Sequence, residues 1–494
     1  MFKNRLLLIA LAMTIGVSIW GIVDTQGLTQ TADRHVQFVL RSRGWFVMLT
    51  ASLLLISCVV LALSKSGRIK LGADSDQPEF STMSWLTMMF AAGMGVGLLF
   101  YGAAEPISHY LFAVQVGLDA PVAANRAMLI TIFNWGLHAW SIYGMMALII
   151  AYFGFRKNAP QLISAPIIST FGDHPVWRIT GWLVDLLSIY AIAIGLAGSL
   201  ALGVFQVQDG VVALFKLEAT GMGLTLAIFG ILCAAYILPL TVDLSKGMAL
   251  LSNTAIIIAV ALMVYLLILG PTEFLMDGIV EAIGGYFFYV FPHGFTTFTF
   301  HDESVKNWFQ SWSLNYMVWW LAWSPFVGVF IARISRGRTI REFILGVLLA
   351  PTFFSIFWFG VFGGVGFFQG NVQQLDLAVI QEQINQTTFL LLGNMPLPFL
   401  TMIATCIAAF LFIVTSVVSA AYVLAMFSTG GSQDPPVKIK LIWGGNSRRS
   451  RVCHDIVRQR FCHTADHRHE RQPLRVHYFA SSGVFFKALK KERF

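Results

Sequence analysis

The sequence predicts an all-α polytopic membrane protein, on two observations. Of its 494 residues, 56% are hydrophobic and only 12% are charged, whereas soluble globular proteins carry about 25% charged residues. The mean hydropathy is +0.71, and apolar runs of roughly the ~20 residues that cross a bilayer recur along most of the chain. A soluble enzyme is therefore excluded, and a secreted protein is disfavoured.

Ten apolar runs qualify as membrane spans. They lie near residues 5–23, 45–64, 85–113, 126–154, 178–205, 221–241, 249–270, 312–334, 341–368 and 395–427. The first follows Lys3 and Arg5. The alternative, a cleaved signal peptide, lacks a small-residue cleavage site and would need an unusually long apolar run. The stretch 271–292 is apolar on one face, so we expect an amphipathic helix on the outer surface.

The basic residues in the loops indicate the orientation of the chain. Most fall on one side of the membrane if the N-terminus is cytoplasmic, as the positive-inside rule requires. They are Lys3, Arg5, Lys65, Arg68, Lys70, Arg156, Lys157, Arg333, Arg336, Arg338 and Arg341. Arg34, Arg41 and Arg43 are the exception. We therefore predict a multi-pass protein with a cytoplasmic N-terminus.

Two spans carry residues that interrupt helices. The third contains Gly93, Gly95 and Gly97, and the eighth contains Pro325 and Gly328. Two broken spans, five spans apart, are typical of transporters built from inverted repeats. Glycines also permit a substrate to approach the backbone closely. The alternative is close helix–helix packing through small residues.

Tryptophan and tyrosine residues cluster at helical spacing inside two spans. Trp135, Trp140 and Tyr143 lie in the fourth span, and Trp319, Trp320 and Trp323 lie in the eighth. Tryptophan usually lies at the membrane interface. Several aromatic faces around one point bind a quaternary ammonium group, which has no N–H donors, through cation–π attraction of about 2 kcal/mol or more when desolvated. The alternative is an aromatic packing seam.

Few ionisable residues lie within the spans. Glu105, His138 and Asp185 are the main ones, and each is a functional candidate or a buried structural residue. The body of the chain contains neither a nucleotide-binding loop nor a metal-binding His/Glu spacing. We therefore expect neither an enzyme nor an ATP-driven pump. Thr415, Ser416 and Ser419 supply hydroxyls in the tenth span, where they cap carbonyls or bind a monovalent cation.

Two longer motifs resemble one known family. Residues 90–106, FAAGMGVGLLFYGAAEP, and 319–343, WWLAWSPFVGVFIARISRGRTIREF, are similar to the third-helix and eighth-helix signatures of the betaine/carnitine/choline transporter family. The resemblance covers about residues 1–431. It implies twelve membrane helices, with inverted five-helix repeats of the sodium/neurotransmitter-symporter type. It also implies that the protein carries quaternary ammonium solutes and forms a homotrimer, as members of the family commonly do.

The resemblance also implies a division of the chain. Residues 1–84 would form two peripheral helices, 85–270 the first inverted repeat, 271–311 the outer-surface helix and loop, 312–431 an incomplete second repeat, and 432–494 a basic tail. It implies a location in the bacterial inner membrane. We expect the bilayer and a small-molecule substrate as partners, no nucleic acid and no cofactor other than a coupling ion.

The site residues carried over from the family fall into two sets. The substrate set is Trp135, Trp140, Tyr143, Trp319, Trp320, Trp323, Gly93, Gly95 and Gly97. The sodium set is Ala91, Met94, Phe412, Thr415 and Ser416. Ile192 and Leu196 stand where sodium-coupled members often have two threonines, so a second cation site is not expected.

These observations predict a secondary transporter that takes up a quaternary ammonium compatible solute by alternating access. Glycine betaine is the first choice, with sodium as the coupling ion. A choline or carnitine carrier that is proton-coupled or an exchanger is the nearest alternative. A membrane channel or a non-transporting membrane sensor is the alternative from another class.

The C-terminal tail differs sharply in composition from the rest of the chain. Residues 434–494 hold 14 Lys and Arg and 5 Asp and Glu, a net charge of +9, whereas the preceding 433 residues have a net charge of −1. Central arginines cost ~2.5–3.5 kcal/mol each in a bilayer, so this segment cannot form the two remaining helices. It is a lipid-binding basic tail, a zinc site of cysteine and histidine residues, or frameshifted sequence, and the last of these is our interpretation. The zinc candidates are Cys453, His454, Cys462, His463, His467 and His469.

The frameshift hypothesis predicts a specific feature of the gene. With one permitted choice of codons, a reading frame one base later converts residues 445–456 and 475–485 into apolar sequence that suits the missing helices. We expect the coding strand to contain such a frame between residues 445 and 486. DNA sequencing checks this, and a strand without an apolar reading there removes the hypothesis.

Overall fold

The computed structural model describes residues 2–217, 221–241, 244–378 and 384–446. These residues form α-helices joined by short loops, and no β-strand occurs within the described ranges. The helices are α1 (Phe2–Val23), α2 (Thr25–Leu63), α3 (Thr82–Gly93), α4 (Gly97–Gln115), α5 (Ala120–Trp135), α6 (Leu137–Ala151), α7 (Ser164–Phe171), α8 (Pro175–Phe215), α9 (Met222–Thr241), α10 (Leu244–Leu269), α11 (Thr272–Gly294), α12 (Glu303–Phe309), α13 (Asn315–Ile334), α14 (Ile340–Asn371), α15 (Thr387–Gly393), α16 (Pro398–Ser428) and α17 (Val437–Asn446).

The spans predicted from hydropathy agree with these helices. Within the described ranges, ten helices are long and apolar enough to cross a bilayer, and the bent pair α3 and α4 makes an eleventh. Each predicted span corresponds to one of these helices or to the bent pair. The additional helix is α11, whose predicted position on the outer surface stays a prediction. The prediction of an all-α polytopic membrane protein is confirmed.

The predicted break in the eighth span is wrong. Helix α13 runs without interruption from Asn315 to Ile334, with Pro325 inside it. Proline cannot donate a hydrogen bond to the carbonyl four residues earlier, which here belongs to Leu321. The Ser324 hydroxyl donates to that carbonyl instead, at 2.8 Å. The freed backbone group is therefore satisfied locally, and the helix continues.

The loop between α2 and α3 is bound to the loop between α13 and α14. The Leu71 N–H donates to the Arg338 carbonyl at 2.8 Å, and the Gly337 N–H donates to the Leu71 carbonyl at 2.9 Å. Arg336 Nε lies 2.9 Å from Asp76 Oδ2. This hydrogen bond from the Arg336 guanidinium holds the pKa of the Asp76 carboxyl below its ordinary value. The two loops therefore form one connected face.

Two further ion pairs extend this face. Arg333 pairs with Glu79 at 2.7 Å, and Arg156 pairs with Asp74 at 2.6 Å. The basic loops that the sequence places on one side of the membrane thus meet around a single acidic loop. The side of the membrane that this face occupies stays a prediction.

Helix α17 packs against α9 and α16. Its buried Trp443 donates from Nε1 to Ser428 Oγ at 2.8 Å, and the Tyr236 hydroxyl donates to the Gly444 carbonyl at 2.8 Å. The segment predicted as a basic tail therefore contains a packed helix near its start. The zinc hypothesis, and the frameshift hypothesis apart from Gly445 and Asn446, fall on residues outside the described ranges. The domain boundaries stay predictions.

Candidate functional site

The site begins at a sharp bend between α3 and α4. The two helices meet at 65° across the residues 94–96. Gly95 has a φ of +53°, a left-handed conformation that glycine adopts without steric cost. A Cβ atom there would lie 3.0 Å from Ser416 Oγ of α16. The predicted unwinding of the third span is therefore present, and it contacts α16.

The other two glycines of this segment make room for aromatic rings. A Cβ atom at Gly93 would lie 2.7 Å from Trp140 Cη2, and one at Gly97 would lie 3.1 Å from Trp135 Cη2. Substituting either glycine would push a buried ring out of place. Both sequence interpretations thus apply, since Gly95 permits unwinding and its neighbours permit close packing.

A second break, which the sequence analysis did not predict, divides the fourth span. Helix α5 ends at Trp135 and α6 begins at Leu137, with Gly136 in a non-helical conformation between them. The Tyr286 hydroxyl accepts a hydrogen bond from the Leu137 N–H at 2.8 Å. The Asn134 carbonyl accepts one from Trp320 Nε1 at 2.8 Å. The carbonyl freed at the break therefore orients the indole ring of Trp320.

The predicted aromatic residues meet at this break. The rings of Trp135 and Tyr143 lie 5.3 and 5.8 Å from the Trp320 ring, in edge-to-face contacts. Trp140 contacts Tyr143 at 5.8 Å, and Trp319 stacks on Trp320 at 4.8 Å. These rings, with Trp323 beside Trp319 at 6.4 Å, form one aromatic cluster.

A cavity lies on one side of this cluster. Its empty volume is about 650 Å³, counting the open space at its mouth. Trp319, Trp320 and Trp323 line it, as do the residues of the bend at Gly95. Trp135, Trp140 and Tyr143 are fully buried and are not among the lining residues. In this conformation, half of the predicted aromatic set faces the cavity and half supports it.

Helix α8 gives the cavity polar groups that the sequence analysis missed. Ser199 and Gln206 line it, together with Ser416 of α16. Gln206 is only 2% exposed, and its Oε1 has no hydrogen-bond partner among the described residues. The signal available in the sequence was an amide inside an apolar run, just beyond the predicted end of the fifth span.

The residues of the predicted sodium site lie where α3 ends beside α16. The Thr415 hydroxyl donates to the Phe412 carbonyl at 2.9 Å, which leaves its oxygen lone pairs available to a cation. Ser416 is buried and faces the bend. Ala91 and Met94 are buried at the end of α3. The oxygen-rich composition of this set suits a hard cation such as sodium.

The residues Ile192 and Leu196 are both buried on α8, and Leu196 lines the cavity. Their apolar side chains have no oxygen ligand for a cation. The absence of a second sodium site at this position stays a prediction.

The other ionisable residues within spans have structural partners. His138 Nε2 lies 3.2 Å from Ser52 Oγ, which donates to the Gly294 carbonyl at 2.8 Å. Asp185 accepts hydrogen bonds from the Ser164 N–H at 3.0 Å and the Ser164 hydroxyl at 2.6 Å, at the start of α7. Glu105 instead contacts the aromatic cluster.

Together, the fold and the site define a membrane transport protein: a bundle of spanning helices with a broken helix beside a buried cavity. The family model for betaine/carnitine/choline family transporters matches residues 5–447. The chain belongs to the betaine/carnitine/choline transporter family, whose members are transporters and not enzymes. The match extends beyond the predicted limit of the resemblance at residue 431 and includes α17.

Several characterised or inferred transporters are similar to this chain. The glycine betaine transporter OpuD of Bacillus subtilis (strain 168) is 39% identical over 438 residues, 88% of this chain and 84% of its own length. A probable glycine betaine transporter of Desulfitobacterium hafniense (strain Y51) is 34% identical over 452 residues, 90% of this chain and 88% of its own length. An ectoine/hydroxyectoine transporter of Virgibacillus pantothenticus is 34% identical over 418 residues, 84% of this chain and 82% of its own length.

Proposed function

We propose that this protein takes up a quaternary ammonium compatible solute, with glycine betaine as the first choice. The observation that carries the proposal is the presence of Trp319, Trp320 and Trp323 together in the lining of one cavity. A trimethylammonium group cannot be selected by hydrogen bonds to N–H groups, because it has none. Aromatic faces attract it by cation–π interaction instead.

The part of the lining at the helix bend suits the other end of such a solute. There the bend at Gly95 interrupts the helix, and backbone N–H groups at a helix break bind anionic groups, as the broken helices of other transporters do. The carboxylate of betaine would lie against residues 93–97. The amide of Gln206 offers a further polar contact in the same cavity.

Sodium is the proposed coupling ion, and alternating access is the proposed mechanism. The sodium set joins the end of α3 to α16 through Ser416 and Thr415. An ion bound there would stabilise one arrangement of these two helices, and its release would favour another. The ion thereby links the state of the substrate cavity to the sodium gradient.

The remaining features of the family resemblance are part of the same proposal. The protein would lie in the bacterial inner membrane as a homotrimer, with a cytoplasmic N-terminus. A second candidate substrate is ectoine, because one relative of comparable identity is an ectoine/hydroxyectoine transporter. A choline or carnitine carrier that is proton-coupled, or an exchanger, is the alternative mechanism.

Uptake of labelled solutes tests the proposal directly. We expect cells that express the chain, and lack their own osmolyte carriers, to take up betaine saturably and only with sodium outside. Choline, carnitine, a sulfonium analogue and ectoine are measured in parallel, with empty-vector cells as the control. Uptake only into preloaded cells without sodium would indicate an exchanger, and uptake without saturation would indicate a channel.

Removing a lining ring tests the aromatic cavity. Trp320→Ala should weaken betaine binding by well over ~1 kcal/mol, because a desolvated cation–π contact contributes about 2 kcal/mol. Isothermal titration of the purified chain measures the affinity. Trp443→Ala is the matched control, since both tryptophans are 2% exposed and donate from Nε1, yet Trp443 lies outside the cavity. Unchanged affinity in folded Trp320→Ala protein would contradict the cavity assignment.

The sodium dependence of uptake tests the number of cation sites. Because Ile192 and Leu196 supply no oxygen ligands, we expect a Hill coefficient near ~1, as a single site gives no cooperativity. Initial rates are measured over a range of sodium concentrations at constant ionic strength, with choline-free replacement salt. A coefficient near ~2 would place a second sodium site elsewhere in the chain.

A further inference from the structure

Glu105 is a fully buried carboxyl group that accepts four hydrogen bonds. Its Oε1 accepts from Asn134 Nδ2 at 2.7 Å and lies 3.2 Å from His109 Nε2. Its Oε2 accepts from Trp135 Nε1 at 2.7 Å and from the Tyr316 hydroxyl at 2.6 Å. An ionised carboxylate within a membrane is costly unless its oxygens are satisfied. Here each oxygen has two partners, drawn from α4, α5 and α13.

The partners of Glu105 support the rings that line the cavity. Tyr316 contacts Trp319 and Trp320 at 5.7 and 5.6 Å, and Trp135 contacts Trp320 at 5.3 Å. The backbone carbonyl next to Trp135, that of Asn134, accepts the Trp320 indole hydrogen. Glu105 therefore fixes the orientation of Trp135 and Tyr316 directly. It fixes the orientation of Trp319 and Trp320 through one residue that is bound to it.

We propose that Glu105 is a positioning residue for the substrate cavity, an inference that rests on the proposed function. Its carboxylate holds Trp135 and Tyr316 and, through Asn134, fixes the position of Trp320 in the lining of the cavity. Binding sites need side chains held to within about 0.5 Å by the groups around them. Cation–π attraction depends on the ring face, so a ring that turns loses affinity for a cation without loss of the fold.

The groups around Glu105 allow two substitutions to distinguish a positioning role of this residue from a role of its charge. Asn134 Oδ1 and His109 Nδ1 have no hydrogen-bond partner among the described residues. In Glu105→Gln, the Asn134 amide can turn over and His109 can change tautomer, so that both accept from the new amide group. The remaining oxygen then keeps Trp135 and Tyr316 in place. Glu105→Gln removes the charge and preserves the positioning, whereas Glu105→Leu removes both.

The experiment compares these two variants in the purified full chain. Betaine affinity is measured by titration, together with that of 3,3-dimethylbutanoate, which has the same shape and carboxylate but no cationic nitrogen. We expect Glu105→Leu to bind betaine at least about tenfold more weakly, the loss of one desolvated cation–π contact. Its preference for betaine over the analogue that lacks the cationic nitrogen should fall equally. Glu105→Gln should stay within about threefold of the unmodified chain, because its hydrogen bonds to the rings persist.

A third variant keeps the test decisive if Glu105→Leu does not fold. Tyr316→Phe preserves the ring and removes one hydrogen bond to Glu105, and we expect it to lower the betaine preference by about threefold. Where Glu105→Leu does fold, adding Tyr316→Phe should have no further effect, since residues that act as one unit are not additive. Asp185→Asn is the control: a buried acid away from the cavity, whose substitution should lower the melting temperature and leave affinity unchanged.

Each outcome has a distinct meaning. Equal losses in Glu105→Gln and Glu105→Leu would mean that the charge attracts the cation directly, which overturns positioning. Unchanged preference in folded Glu105→Leu, or in Tyr316→Phe where the first does not fold, overturns it as well. If the unmodified chain binds neither betaine nor another quaternary ammonium solute, the proposed function itself fails, and positioning fails with it.

Discussion

The structure depends on one constraint, that backbone polar groups inside a bilayer must find partners within the protein. A continuous helix meets this requirement by itself, so each break needs a compensating group. The described helices break at Gly95 and at Gly136, and Pro325 removes a donor within α13. Gly95 lines the cavity, and the break at Gly136 is satisfied in part by Trp320, which also lines it.

The break at Gly136 shows how satisfying the backbone builds the site. The Asn134 carbonyl is taken by the indole of Trp320, and the Leu137 N–H is taken by the hydroxyl of Tyr286. One partner comes from α13 and the other from α11. A local defect in one helix therefore fixes its position against two others, and it holds a cavity-lining ring at a defined angle.

The buried side chain of Glu105, like the backbone groups at the breaks, needs hydrogen-bond partners within the protein. A carboxylate at this depth is stable only with donors around it, and those donors are the polar edges of the aromatic cluster and its neighbours. Tryptophan and tyrosine each combine a large apolar surface with one polar atom. Anchoring the polar atom fixes the orientation of each ring, and the anchored rings of Trp135 and Tyr316 pack against Trp320, which lines the cavity.

The sequence by itself determined the features that depend on local chemistry. Hydropathy located the spans, the glycine run at residues 93–97 located the bend, and the tryptophan spacing located the aromatic cluster. It could not determine that Pro325 leaves α13 intact, because that depends on where the Ser324 hydroxyl points.

The tertiary structure alone decided which groups meet. Trp320 lines the cavity while Trp140 is buried behind it, although both lie within aromatic motifs of the same kind. Gln206 faces the cavity, and Glu105 binds donors from three helices. These facts depend on the rotation and depth of each helix against its neighbours. Those quantities are set by packing between segments far apart in the chain, whereas hydropathy and backbone preference record only the residues of one segment.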